Sequence, residues 1–218
     1  MKRFSTFLLA MGFISFTLNA GEPTEEMKND GWVSIFDGKT FEGWKKNETY
    51  EGFKIENGCI VGFGGRNHLY YMEELKNFEL KIDVKINQGG NSGVFVKSQW
   101  IDGNWPIGFE LQVNNSQSDP QKTGTLYNII KIFKAPHGDD EWFTYHIICK
   151  GNTLECRVNG NVLYTYVDPM ERGGIPVEGK ITDQNKRISQ KGYISLQQHD
   201  PGSTPMFRNI FIKKLPDK

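Results

Sequence analysis

The stretch NFELKIDVKIN, residues 77–87, decides the fold class. Phe78, Leu80, Ile82, Val84 and Ile86 alternate with Glu79, Lys81, Asp83 and Lys85. That is the period of a strand with one face buried and the other in water. From Trp32 onward the chain repeats the theme as short apolar runs broken by Gly, Asn and Asp. SGVFVKSQW, GFELQVNN, LYNIIKIFK, TYHIICK, LECRVNG, VLYTYV, GYISLQQH and FRNIFIKKL all read as strands. YEGFKIENGCIVG reads as a hairpin turning at Asn57-Gly58. No long helical period occurs, and MEEL (72–75) is at most one helical turn. About a dozen strands with local turns predict an all-β, two-sheet antiparallel jelly-roll sandwich. Two stretches do not fit as strands. QWIDGNWPIG (99–108) is expected as a loop bearing Trp100 and Trp105, and residues 168–192 as a long lid or binding loop.

The N-terminus is a different kind of segment. Lys2 and Arg3 precede an apolar run from Phe4 to Leu18, followed by Leu18-Asn19-Ala20. This is the pattern of a secretory signal peptide cleaved after Ala20, too short to be a membrane span. The residue directly after the cleavage point is Gly21 rather than a cysteine, so lipid attachment there is not expected. Residues 1–20 are therefore excluded from the fold, 21–30 are expected as a polar, flexible leader, and 31–218 as one domain. Export to the periplasm or the extracellular space follows, with no membrane insertion. Loss of Lys2 and Arg3 leaves a net charge of about −2, and no basic patch forms, which makes nucleic acid an improbable partner. The sequence sets no oligomeric state.

Three cysteines in an exported chain leave at least one thiol unpaired. In HIICKGNTLECRVNG, a turn at Gly151-Asn152 sets Cys149 opposite Leu154 and Ile147 opposite Cys156. Both cysteines then lie on the apolar face as small core residues. A diagonal bridge between them is the minor alternative, and Cys59 reads as a third buried thiol.

Two distant strands share a more informative pattern. In GFELQVNN, Phe109, Leu111 and Val113 point one way, and Glu110, Gln112 and Asn114 the other. In GYISLQQH, Ile194 and Leu196 oppose Ser195, Gln197 and His199. A solvent face is normally rich in Lys and Glu, as residues 79–85 illustrate. Amides, one carboxylate and one imidazole instead suit a groove that binds sugar hydroxyls, with Trp100, Trp105 and Tyr127 as aromatic walls. Each residue alone has an ordinary explanation: Glu110 as a solvated charge, His199 bracing the Asp200-Pro201 turn, Arg208 in a structural ion pair, the tryptophans covering a core edge.

Taken together, GWVSIFDGKTFEGWK, NFELKIDVKI, NSGVFVKS, GFELQV, TGTLY, EWFTYHIICKGNTLECRVNG and GYISLQQHDPGSTPMFRNIFI resemble the 3-keto-disaccharide hydrolase domain family. They follow the family's order and span residues 31–216. The resemblance implies a concanavalin A-like lectin/glucanase sandwich, secretion, and an oligosaccharide or glycoside substrate. It also implies a pocket of Asn91, Ser92, Glu110, Gln112, Tyr127, Gln197, His199 and Arg208. One departure is Lys97, where many members carry an arginine; lysine keeps the charge and loses the planar fork.

The activity so implied is elimination across C1–C2 of a 3-keto sugar, followed by hydration. It needs a base, an acid and a positive group near the enolate oxygen. Glu110 and His199 are the expected acid–base pair, in either order, with Arg208 or Lys97 beside the enolate. Ordinary glycoside hydrolysis would need two carboxylates; GFELQ supplies only Glu110, and Asp139, Asp140 or Glu141 would have to supply the second. The alternative of another class is a non-catalytic, lectin-like carbohydrate-binding domain. No cofactor is required by this reading. Sandwiches of this kind often carry a structural calcium, but no loop has a recognisable calcium spacing, so a divalent metal stays open at this stage.

Overall fold

In the computed structural model, residues 21–168 and 186–217 are described. The order begins α1 (Glu25–Asn29), β1 (Val33–Ser34), β2 (Trp44–Lys46), β3 (Phe53–Glu56), β4 (Cys59–Gly62), β5 (Asn67–Leu75) and β6 (Phe78–Lys85). It continues β7 (Asn91–Gln99), β8 (Ile107–Asn114), β9 (Phe143–Lys150), β10 (Thr153–Val158), β11 (Asn161–Val167), β12 (Gly192–Gln198) and β13 (Met206–Lys214). Among the described residues these strands form two antiparallel sheets. The larger runs β11-β10-β9-β6-β13-β4-β3, with β1 also paired to β13. The smaller runs β2-β5-β12-β7-β8.

The alternation in 77–87 becomes the centre of the sandwich. Phe78, Leu80, Ile82, Val84 and Ile86 are fully buried, and β6 lies between β9 and β13. Across the core they meet Val94, Val96, Leu111, Val113, Ile194 and Leu196 from the smaller sheet. Both expected hairpins form. Asn57 and Gly58 take φ +50° and +73°, the left-handed pair that a tight two-residue turn requires, and Glu56 pairs with Cys59. At the second turn Leu154 pairs with Cys149 and Cys156 with Ile147. All three cysteines are buried free thiols, so no bridge joins Cys149 to Cys156.

Three local expectations are corrected. MEEL is not a helical turn but the end of β5, where Leu75 pairs with Gly192 and is buried. LYNIIKIFK does not form a strand. Leu126 is buried and bridges to Leu111 and Ile130, but Asn128 at φ +60° turns the chain back at once. Residues 21–30 include α1, capped by Thr24, whose Oγ1 accepts from Met27 N. They are tied to β13 by Asn209 and Lys213. The expected signal peptide (1–20) and most of the expected lid (169–185) lie outside the described residues. The lid's flanks are joined, since Ile188 N donates to Asp168 Oδ2 at 2.9 Å. Among the described residues no helix is long and apolar enough to cross a membrane.

Because Leu80 is fully buried in the middle of the larger sheet, Leu80→Ala is expected to destabilise the fold by about 2–5 kcal/mol. Denaturant unfolding followed by tryptophan fluorescence checks this value.

Candidate active site

The smaller sheet has one face on the core and one face outward, and its register assembles the site. Phe95 on β7 pairs with Glu110 on β8, Gly93 with Gln112, and Asn91 with Asn114. Ser195 on β12 pairs with Phe95, and Gln197 pairs with His68 on β5. The outward side chains of four strands thus lie side by side. Loops then build walls over them. A cavity of about 220 Å³ results, lined by Asn91, Trp105, Glu110, Gln112, Asp119, Tyr127, Gln197 and His199.

Glu110 leans across β7 into space that exists because residue 93 is glycine. A Cβ there would overlap the Glu110 carboxyl group. Gln197 Nε2 donates to Glu110 Oε1 at 3.2 Å. Gln112, with its amide nitrogen turned toward its two acceptors, donates to Glu110 Oε1 and Ser92 O, each at 3.0 Å. Burial pushes the carboxyl up to about 8, with a further push from Asp119. The Gln197 hydrogen bond and the Lys186 charge pull the other way and only partly offset it, and the turned Gln112 amide pulls in that same lowering direction. Since Oε1 accepts both amides, the proton held near neutral pH belongs on Oε2. A carboxyl raised in this way binds its proton more tightly when folded than when unfolded. Its contribution to stability is complete below about 4.5 and is lost as pH rises through about 8.

His199 follows β12 and faces the same cavity. Its Nδ1 lies 2.6 Å from Asp200 Oδ2. Burial pushes Asp200 upward, but hydrogen bonds from His199, Gly202 and Ser203 outweigh this and hold it below the usual carboxylate range. Asp200 is therefore the acceptor and Nδ1–H the donor, an orientation that turns Nε2 toward the cavity as the remaining ring nitrogen. Trp105 covers one side, its ring centroid 5.6 Å from His199 and 5.2 Å from His68. The loop carrying Trp105 is pinned by Asn47 Nδ2, which donates to Ile101 O at 2.8 Å and Asn104 O at 2.7 Å. His68 is fully buried with neither ring nitrogen partnered among the described residues. Burial lowers its pKa to about 3, so it stays neutral beneath Trp105.

Four sequence expectations are corrected in placement. Arg208 does not share the cavity. The 199–205 loop crosses from the smaller to the larger sheet, so β12 and β13 are consecutive but unpaired. Arg208 stacks over Trp142 at 4.0 Å, with Nε 3.7 Å from Asp83 Oδ2. Lys97 has the sequence parity of the pocket face, yet a bulge turns it away. Its φ is +58°, and Nζ reaches the carbonyls of Leu75 and Lys76 over the Phe78 ring. Trp100 packs at a tilt against Tyr70, ring centroids 4.8 Å apart, and donates to Asp102, outside the cavity. Ser92 lies beneath it, donating to Gln197 O at 2.6 Å, and so fixes a strand rather than lining the wall. Nor do Asp139, Asp140 and Glu141 line the cavity; Glu141 instead closes its own turn by accepting from Gly138 N.

Two contributors carry little signal in the sequence. Asp119 sits in an ordinary polar loop, and only the fold brings its Oδ2 to the Tyr127 hydroxyl at 3.1 Å. Gly93 was visible in NSG as a motif glycine, but its role needs the neighbouring strand. Among the described residues no group of three or more His, Cys, Asp or Glu side chains is placed to hold a metal ion.

Residues 31–213 match the 3-keto-alpha-glucoside-1,2-lyase-like domain. A Bacteroides thetaiotaomicron protein named 3-keto-disaccharide hydrolase is 29% identical over 233 residues, covering 85% of this chain and 79% of its own. A crystal structure of a candidate glycosyl hydrolase from Parabacteroides distasonis superposes with a TM-score of 0.75 at 27% identity, covering 90% of this chain and 100% of its own. A carbohydrate-binding module from Bacillus subtilis shares the fold alone, with a TM-score of 0.55 at 13% identity over 79% of this chain and 96% of its own. The sandwich is of the concanavalin A-like type, and the chain belongs to the 3-keto-alpha-glucoside-1,2-lyase-like domain family.

Proposed function

We propose that this chain is an exported carbohydrate hydrolase that cleaves the glycosidic bond of 3-keto-disaccharides or 3-keto-glucosides by elimination and hydration. The observation that carries the mechanism is one cavity lined by both the Glu110 carboxyl, whose pKa burial raises, and the His199 imidazole, oriented by Asp200. The family match and the named Bacteroides relative support the substrate class, and the sequence of residues 1–20 supports export.

The ketone at C3 acidifies the proton at C2. His199 Nε2 takes that proton, Asp200 steadying the imidazolium through Nδ1–H. The electron pair left at C2 is delocalised into the C3 carbonyl as an enolate. As it returns to form the C1–C2 double bond, the C1–O bond breaks. Glu110 Oε2 gives its proton to the departing oxygen. Water then adds across the double bond, with Glu110 and His199 exchanging roles to return each proton. Arg208 and Lys97, remote from the cavity, have no part in holding the enolate. The carboxamides of Asn91 and Gln197 at the wall are assigned that task, and Gln112 fixes Glu110. Asp119 is the cavity's second carboxylate, but it is occupied by Tyr127 OH and by Gln121 N at 2.7 Å. That arrangement does not favour the paired-carboxylate route.

The test is release of monosaccharide from a 3-keto-disaccharide with no release from the unoxidised sugar. Cleavage of both would favour ordinary hydrolysis, and binding without release a lectin-like domain. Since the acid must be protonated, kcat/KM is expected to fall as pH rises through about 8. In Glu110→Gln that limb should vanish and kcat should drop by about 10²–10⁴-fold; full turnover by this variant would remove Glu110 from the mechanism. Gly93→Ala must push the carboxyl aside. Its kcat is expected to fall by about 10–100-fold and its alkaline limb to move from the wild-type position, both read from a pH–rate profile.

A further inference from the structure

A second cavity of about 440 Å³ adjoins the first, and the two share Trp105, Glu110 and Tyr127 as a common wall. The carboxyl group that protonates the departing oxygen therefore stands at the boundary between them. If the ring that loses its C2 proton lies beside His199 in the first cavity, the leaving group extends past Glu110 into the second. We infer that the second cavity is the leaving-group subsite, and that it is built for an aromatic aglycone. This rests on the activity proposed above and adds to it the class of group expelled.

The side chains on either side of Glu110 differ in kind. Around His199, the lining is almost all amide, carboxyl and imidazole, as a ring bearing several hydroxyls requires. Beyond Glu110, the residues not shared are Phe95, Pro106, Gly108, Asn128, Ile129 and Lys186. Phe95 is buried at 4% exposure and gives the floor an aromatic ring, and Ile129 at 40% leaves an apolar edge open to a ligand. The shared Trp105 and Tyr127 add two more rings. Lys186 donates to Gly108 O at 2.6 Å and lies over the Phe109 ring, so its stem covers the end of the cavity. Flat rings and an isoleucine bind a planar apolar group by stacking and burial.

The elimination balances for such a substrate. The C2 proton passes to His199, the C1–C2 double bond forms, the C1–O bond breaks, and the aryl oxide leaves as a phenol with the proton of Glu110. No further reactant is needed before hydration.

Phenyl and methyl 3-keto-glucosides distinguish the outcomes. The wild-type protein is expected to have a kcat/KM at least about tenfold higher for the phenyl compound. In Ile129→Ser the ratio of the two constants should fall by about threefold or more, and the ratio is independent of how much protein is correctly folded. Equal constants for the two glycosides, or a ratio unchanged by Ile129→Ser, would overturn the assignment while leaving the activity intact. Failure to cleave either compound would instead overturn the activity, and this subsite with it.

Discussion

A carboxyl group folded over Gly93, and held there by two carboxamides, is the feature on which the rest of the cavity depends. Removing Glu110 from water costs the ionised form more than the neutral one, so the group keeps its proton well above the ordinary carboxylate range. Gln197 and Gln112 both donate to the same oxygen, which leaves the other to carry the proton. Strand register sets this arrangement: Gly93, Gln112 and Gln197 come from three neighbouring strands of the smaller sheet. The sandwich core beneath them serves the site by keeping that register from slipping.

The two candidate proton carriers are separated by environment rather than by chemistry alone. Burial raises the pKa of the Glu110 carboxyl, whereas His199 sits in the same hollow with an ionised Asp200 behind it. The carboxyls of Glu110 and Asp200 are driven in opposite senses, which sets an acid beside an imidazole oriented by an ionised partner. Trp105 joins the two halves physically, packing on His199 while also walling the adjoining cavity.

Much of this is legible in the amino-acid sequence. Alternation at 78–86 located the core strand, and the turn residues Asn57-Gly58 and Gly151-Asn152 fixed two hairpins with their registers. The amide-rich faces of 109–114 and 194–199 marked the sheet face that carries the cavity, because strand alternation is a local property. What failed was non-local. Arg208 follows His199 closely in sequence, yet the intervening loop changes sheets, which no local pattern announces. Lys97 has the right parity but a single left-handed residue reverses it. Asp119 and Gly93 matter through neighbours on other segments, so their sequence context is ordinary. LYNIIKIFK has a strand's composition, but its ladder partners are lacking beyond one residue, and Asn128 turns it.

The most direct measurement is a ¹³C-detected NMR titration of the Glu110 side-chain carboxyl in the ligand-free protein, assigned by its loss in Glu110→Gln. A midpoint near 8 is the result this account requires. A midpoint close to 4.5, the ordinary value for a solvated glutamate, would mean that the group is ionised at neutral pH and has no proton to give.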